Sequence, residues 1–204
     1  MPKPRVTLFF EFASTYSYLT AMRVADLAHT RGVDLVWQPF LLGPIFQAQG
    51  WTTSPFNLYP AKGRYMWRDL ARRADRQGLP PVVAPEPFPQ NGLLAARIAT
   101  LGLEKSWGPD FIRGVFTAQF ARGEAISDPA CLASILESLG VNAEDSIRSA
   151  QTDQSAKDKL RAATQHATDL GLFGAPSFVT ADGELFWGDD RLEDALDWAL
   201  MTAK

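Results

Sequence analysis

The apolar pattern changes period twice along this chain, and the order of those changes limits the fold more than any single motif. Val6-Thr7-Leu8-Phe9-Phe10-Glu11-Phe12 is an apolar run of strand length. From residue 16 to about 31 the pattern is helical, with Leu19, Met22 or Arg23, and Ala25 to Leu27 at three- and four-residue spacings. Gly32 suits the position just past that helix. Val33-Asp34-Leu35-Val36-Trp37-Gln38 reads as a second strand, stopped by Pro39. A strand–helix–strand start predicts a parallel pair with a right-handed crossover.

From about residue 43 to 172 almost everything reads as helix, with segments predicted at 62–77, 92–101, 109–121, 128–140, 143–150 and about 155–170. Residues 79–89 are too rich in proline to be other than an extended connection. The end of the chain switches back. Ser177-Phe178-Val179-Thr180, a turn at Ala181-Asp182-Gly183, and Glu184-Leu185-Phe186-Trp187 make a hairpin signature. A last helix follows, capped by Asp189 or Asp190, with Leu192, Ala195, Leu196, Ala199 and Leu200 on one face. The expected architecture is α/β. Residues 1–42 and 173–204 build one sheet from both ends of the chain, and residues 43–172 are an all-helical insertion.

Composition narrows the function. A net charge of −3 gives no reason to expect nucleic acid or an anionic membrane as partner. Met1-Pro2-Lys3-Pro4-Arg5 runs straight into a strand with no leader pattern, and no apolar run reaches spanning length. The single Cys131 excludes an internal disulfide and suits a reducing cytoplasm. His29 and His166, read as surface residues, do not suggest a transition-metal site.

Where the first strand meets its helix stands Ser14-Thr15-Tyr16-Ser17. A serine there lies beside unpaired backbone N–H groups and the positive end of a helix dipole, a suitable place for an anionic sulfur. The chain has no cysteine nearby, so a ligand would have to bring that sulfur. The bland alternative is a helix N-cap worth about 1 kcal/mol.

The order of elements and four motifs together resemble the 2-hydroxychromene-2-carboxylate isomerases and kappa-class glutathione transferases, which share a thioredoxin-like fold with the DsbA-type disulfide oxidoreductases. The motifs are Phe10-Glu11-Phe12-Ala13-Ser14-Thr15-Tyr16-Ser17-Tyr18-Leu19, the segment from Phe56-Asn57-Leu58-Tyr59 through Lys62-Gly63-Arg64-Tyr65 to Asp69, Gly174-Ala175-Pro176-Ser177-Phe178, and Phe186-Trp187-Gly188-Asp189-Asp190-Arg191-Leu192. Dithiol chemistry is excluded, because serines stand where a Cys-x-x-Cys would be needed.

The resemblance implies glutathione as cofactor and Ser14 as catalytic residue, its hydroxyl donating to the glutathione sulfur. A cis Ala175–Pro176 bond would expose the Ala175 backbone to the cysteinyl unit. Gly188 and Asp189 would offer N–H groups to the γ-glutamyl carboxylate, and Asp190 would pair with its ammonium. Asn57 and Lys62 are implied for the glycine carboxylate or the substrate, and Arg64, Tyr65 and Arg68 for the substrate, with Met66 and Trp67 as possible apolar wall. Thr15, where the family usually has proline, and Asp189, often Asn or Ser, are departures. The second would add negative charge near the ligand's amino end.

Other residues have plain readings. The basic stretch from Lys62 to Arg76 is mostly a solvated helix face, with Asp69 expected to pair with Arg73. Cys131 reads as a small buried hydrophobe. The expected activity is a cytoplasmic, homodimeric, glutathione-dependent isomerase converting 2-hydroxychromene-2-carboxylate to trans-o-hydroxybenzylidenepyruvate by reversible thiolate addition, in aromatic-hydrocarbon catabolism such as naphthalene degradation. A kappa-like transferase or peroxidase is the alternative, and a non-catalytic thioredoxin-like binding module the second.

Overall fold

The computed structural model describes residues 3–203. Met1 and Pro2, on which the expectation about a leader partly rests, lie outside the described residues. Strand β1 (Arg5–Phe10) leads to helices α1 (Thr15–Ala21) and α2 (Val24–Arg31) and then to β2 (Asp34–Pro39). Helices α3 (Leu42–Ala48), α4 (Pro55–Leu58), α5 (Pro60–Arg76), α6 (Leu93–Gly102), α7 (Gly108–Ala121), α8 (Pro129–Ser138), α9 (Ala143–Thr152) and α10 (Gln154–Asp169) follow. The chain ends with β3 (Ser177–Thr180), β4 (Leu185–Trp187), a 3₁₀ turn at Asp189–Arg191 and α11 (Leu192–Thr202). The sheet order is β2-β1-β3-β4. β1 pairs parallel with β2, from Arg5 opposite Asp34 to Phe10 opposite Pro39. It pairs antiparallel with β3, from Val6 opposite Thr180 to Phe9 opposite Ser177.

β1 is therefore a central strand, which explains why it reads as an apolar run instead of an alternating one. Its period of two sends Val6, Leu8 and Phe10 into one core and Phe9 into another. The larger core continues from the sheet into the helices without a break. Phe10 meets Phe12 edge-on at 5.4 Å, and Phe12 lies 5.1 Å from Phe116 of α7. The smaller core joins Phe9 to Phe40, Leu42 and Ile45, and to Ala167 of α10.

Capping chemistry sets many helix starts. Asp128, Asn142 and Asp153 each accept a backbone N–H from the first turn they precede. The predicted helix over residues 16–31 is instead two helices. The Arg23 N–H tightens onto the Thr20 carbonyl (3.1 Å), and the axis breaks there. Helices α3 and α4, short and bracketed by Gly and Pro, precede the segment predicted from residue 62.

Close packing makes one glycine indispensable. A Cβ on Gly63 of α5 would stand 2.4 Å from the Phe56 carbonyl oxygen of α4, a backbone atom that cannot swing away. Gly63→Ala is expected to cost about 1–3 kcal/mol, read as a lower urea midpoint with an unchanged m-value.

Candidate active site

Past β1 the chain turns tightly, the Ser14 N–H bonding the Glu11 carbonyl at 3.0 Å, and α1 begins. Ser14 is the N-cap: its Oγ accepts the Ser17 N–H at 3.2 Å. The same hydroxyl donates to the Ala175 carbonyl at 2.8 Å, a contact across 161 residues of sequence. The Ala175–Pro176 bond is cis. Around it Ser177 Oγ donates to the Gly174 carbonyl (2.9 Å) and the Gly188 N–H to the Pro176 carbonyl (2.9 Å). Trp187 lies so close over Gly174 that a Cβ there would meet its Nε1 at 2.3 Å.

These elements wall a cavity of about 1070 Å³ at the strand ends. Its floor holds Glu11, Ser14 and Thr15, and its sides are largely apolar, with Leu42, Phe46, Trp51, Phe56 and Phe88. The N–H groups of Thr15, Tyr16 and Ala175 have no partner among the described residues. The Thr15 hydroxyl and the Gln90 amide nitrogen, both in the cavity wall and buried, are likewise unpartnered among the described residues.

Helix α5 turns Lys62, Tyr65, Asp69 and Arg73 toward the cavity, a three- and four-residue spacing that defines one face. Its buried face carries Gly63, Met66, Leu70 and Ala74. Tyr16 donates to Asp69 at 3.1 Å. Burial, and next the Asp69 carboxylate, raise the Tyr16 phenol well above its ordinary value. Arg73 lies over the Tyr16 ring, 5.8 Å from its centre.

Two carboxylates here have opposite fates. Asp189 is 1% exposed and held from three sides. Thr20 donates to it at 2.9 Å, Arg23 at 3.2 Å and Arg73 at 2.6 Å. Glu11 is 8% exposed, lines the cavity, and takes the Leu42 N–H at 2.8 Å. Among the described residues no cation pairs with it. Burial raises its pKa to about 7, against the lowering effect of the Leu42 and Ala13 N–H groups.

The structure thus gathers Ser14, Ala175, Gly188, Asp189, Asp190, Lys62 and Tyr65 around one cavity, Pro176 following directly behind Ala175. It gives several of them other tasks. The Gly188 N–H is taken by Pro176, so it is not free for a ligand. Asp189 does not add an open negative charge, because two guanidinium groups compensate it, nor does its side chain cap α11. Asp190, exposed and 3.2 Å from Arg191, does not cap it either. The 3₁₀ turn stands between these residues and the helix.

Asn57 lies outside the cavity lining, its amide donating to the Phe88 carbonyl at 2.9 Å. Arg64 and Arg68 point to solvent from the exposed side of α5 and are not in the lining. Met66 is in the interior, and Trp67 packs on Phe88 at 4.9 Å instead of facing the cavity. Asp69 pairs with Arg72 (3.1 Å) instead of Arg73, which Asp189 has claimed. Cys131 is half-buried, 3.5 Å from Glu124, and burial pushes its thiol up to about 11.

The sequence reading missed Glu11, Tyr16, Asp69 and Arg73. The spacing 62, 65, 69, 73 is the one sequence signal that could have shown the last two.

A family model described as DSBA-like thioredoxin domain matches residues 5–198. The 2-hydroxychromene-2-carboxylate isomerase of Sphingobium xenophagum is 26% identical over 189 residues, covering 92% of this chain and 94% of that protein. Glutathione S-transferase kappa 1 of Rattus norvegicus is 26% identical, covering 94% and 89%. A solved 2-hydroxychromene-2-carboxylate isomerase superposes with a TM-score of 0.85 at 25% identity, over 98% of this chain and 95% of that one. A DsbA oxidoreductase from Streptomyces coelicolor, at 20% identity and a TM-score of 0.75, shares the fold.

Two outcomes are expected. Asp189→Ala strands Arg23 and Arg73 and should cost about 3 kcal/mol in urea unfolding, low for a buried pair because both guanidinium groups keep some solvent. Glu11 has a folded pKa above its ordinary 4.5. Its stabilising contribution is therefore full below 4.5 and lost as pH rises through about 7. Glu11→Gln should remove this decline, at most about 3 kcal/mol across the window, measured as unfolding free energy against pH.

Proposed function

The chain belongs to the family of DSBA-like thioredoxin domains, and we propose that within it this protein is a glutathione-dependent isomerase of 2-hydroxychromene-2-carboxylate or a closely related ring-fission product. One observation carries the reading. A serine, with no cysteine near, stands at the strand–helix junction of a thioredoxin-like sheet and bonds the Ala175 carbonyl in the wall of a large apolar cavity. The relatives named as isomerases align over nearly their whole length and support the choice of reaction.

The groups left free suit glutathione. The Ala175 N–H is open to the backbone of an extended tripeptide. The N–H groups of Thr15 and Tyr16 beside Ser14 favour an anion. Asp190 is an exposed carboxylate for an ammonium group, with the Asp189 and Asp190 N–H groups, unpartnered among the described residues, beside it for a carboxylate. Bound there, glutathione would supply a nucleophilic thiolate.

The Ser14 hydroxyl carries one proton, which Ala175 now accepts. Serving a sulfur requires a rotation that releases this carbonyl, while the Ser17 N–H keeps the oxygen in place. Lys62, over the Phe56 ring at 5.6 Å, offers a cation to the substrate carboxylate at the edge of an apolar slot. Phe46 and Trp51, 5.4 Å apart, present flat surfaces suited to an aromatic ring. The largely apolar walls lower the local dielectric, which strengthens these interactions. The same reading places the protein in the cytoplasm as a homodimer, with neither nucleic acid nor a membrane as partner.

The similarity to a kappa-class transferase gives the second reading, in which glutathione is consumed by an electrophile. Turnover of the chromene acid with catalytic glutathione supports the isomerase. Conversion that stops after one equivalent supports the transferase, and no calorimetric binding at millimolar glutathione leaves a non-catalytic module. Ser14→Ala should keep the fold and lower kcat/KM roughly 10- to 100-fold, the worth of one hydrogen bond to a charged group. The bound thiol should also titrate higher by ultraviolet thiolate absorbance. An unchanged titration would remove Ser14 from this role.

A further inference from the structure

We propose that Glu11 is the proton acceptor of the cavity, taking the thiol proton when a thiol ligand ionises beside Ser14 and returning it when that thiol re-forms. The inference rests on the glutathione reading above. It concerns where the proton goes, which neither Ser14 nor the backbone N–H groups settle, since all of them donate.

Placement argues for Glu11. It occupies the same turn as Ser14, linked by the Ser14 N–H to Glu11 carbonyl bond of 3.0 Å. Glu11 lines the same cavity, and its carboxylate takes the Leu42 N–H at 2.8 Å, so the first turn of α3 holds it. Gly92 closes over it, and a Cβ at Gly92 would already lie 3.6 Å from Glu11 Oε1. The neighbouring Thr15 hydroxyl is buried, unpartnered among the described residues, and able to hold a water in this wall.

The other ionisable groups around the cavity are committed or peripheral. On α1, Tyr16 donates to Asp69, and the Tyr18 phenol is raised by burial. On α5, Arg73 is bound to Asp189, Asp69 to Arg72, Lys62 lies over Phe56, and Tyr65 is exposed beneath the Arg72 guanidinium. At the closing turn Asp190 pairs with Arg191. Helix α3 and residues 90–92 bring no ionisable side chain, and His166 of α10, against Phe9, lines a separate groove.

The step balances. The S–H bond breaks, its electron pair stays on sulfur, and the proton forms an O–H bond on the Glu11 carboxylate. The net charge of the cavity is the same before and after. That matters in an apolar enclosure, where a carboxylate and a thiolate together would repel strongly. A carboxyl poised near neutrality by burial is suited to take a proton and return it.

The test is calorimetric titration of the whole protein with glutathione in buffers of different ionisation enthalpy, with S-methylglutathione subtracted to isolate the thiol proton. Thiolate absorbance is followed in parallel. At about pH 8, above the Glu11 value and below that of the free thiol, the wild type should form thiolate with little net proton release, and Glu11→Gln should release most of one proton. The wild type alone gives a second measurement. As pH falls through about 7, Glu11 is already protonated in the free protein, so release should rise toward one.

Thiolate formation with one proton released at every pH overturns the role of Glu11 and leaves the glutathione reading intact. Absence of binding or of thiolate in the wild type defeats both. Should the Gln variant fail to fold, the pH series on the wild type decides.

Discussion

Asp189 has no exposed side-chain surface, and a buried carboxylate persists only where cations and donors replace its water. Here Thr20, Arg23 and Arg73 do so, which brings α1, the start of α2 and the last turn of α5 onto the turn after β4. Arg23 reaches further, to the Asp189 carbonyl at 2.7 Å and to Glu193 on α11. The interaction therefore fixes where the helical segment stands relative to the sheet edge, and with it the width of the cavity between them.

That arrangement decides which polar groups remain for a ligand. Tyr16 and Asp69 are consumed by each other, Arg73 by Asp189, and the Gly188 N–H by Pro176. Among the described residues the Ala175, Thr15 and Tyr16 N–H groups and the Lys62 ammonium are left open, and the exposed Asp190 carboxylate is shared with Arg191. Glu11 differs from Asp189 in one respect that governs its chemistry. Both are buried, but only Asp189 has guanidinium partners; burial without a counter-charge pushes Glu11 toward the protonated form.

Much of this was legible in one dimension. The apolar run at β1, the crossover to β2 and the closing hairpin follow from period and turn chemistry, and the resemblance of their order and motifs to known families implied the thioredoxin-like fold. Ser14 and Pro176 were also visible, because a strand–helix junction without cysteines and a proline opening a strand are local patterns. Partner choice was not legible. Asp69 and Arg73 have the spacing of a helical ion pair, yet Arg73 turns to a carboxylate 116 residues away. Arg64 and Arg68 carry suitable charge, but the buried face of α5 aims them at solvent.

The sequence by itself determined the order of elements, the parallel pairing of β1 with β2, and the absence of dithiol chemistry. Each of these depends on residue type and local period, which do not change with the surroundings. Only the tertiary structure decided that Asp189 is a buried anchor, that Asn57 ties down the Phe88 carbonyl, and that Glu11 stands in the cavity without a counter-charge. Those outcomes depend on desolvation and on competition among distant partners, and neither exists until the two ends of the chain meet.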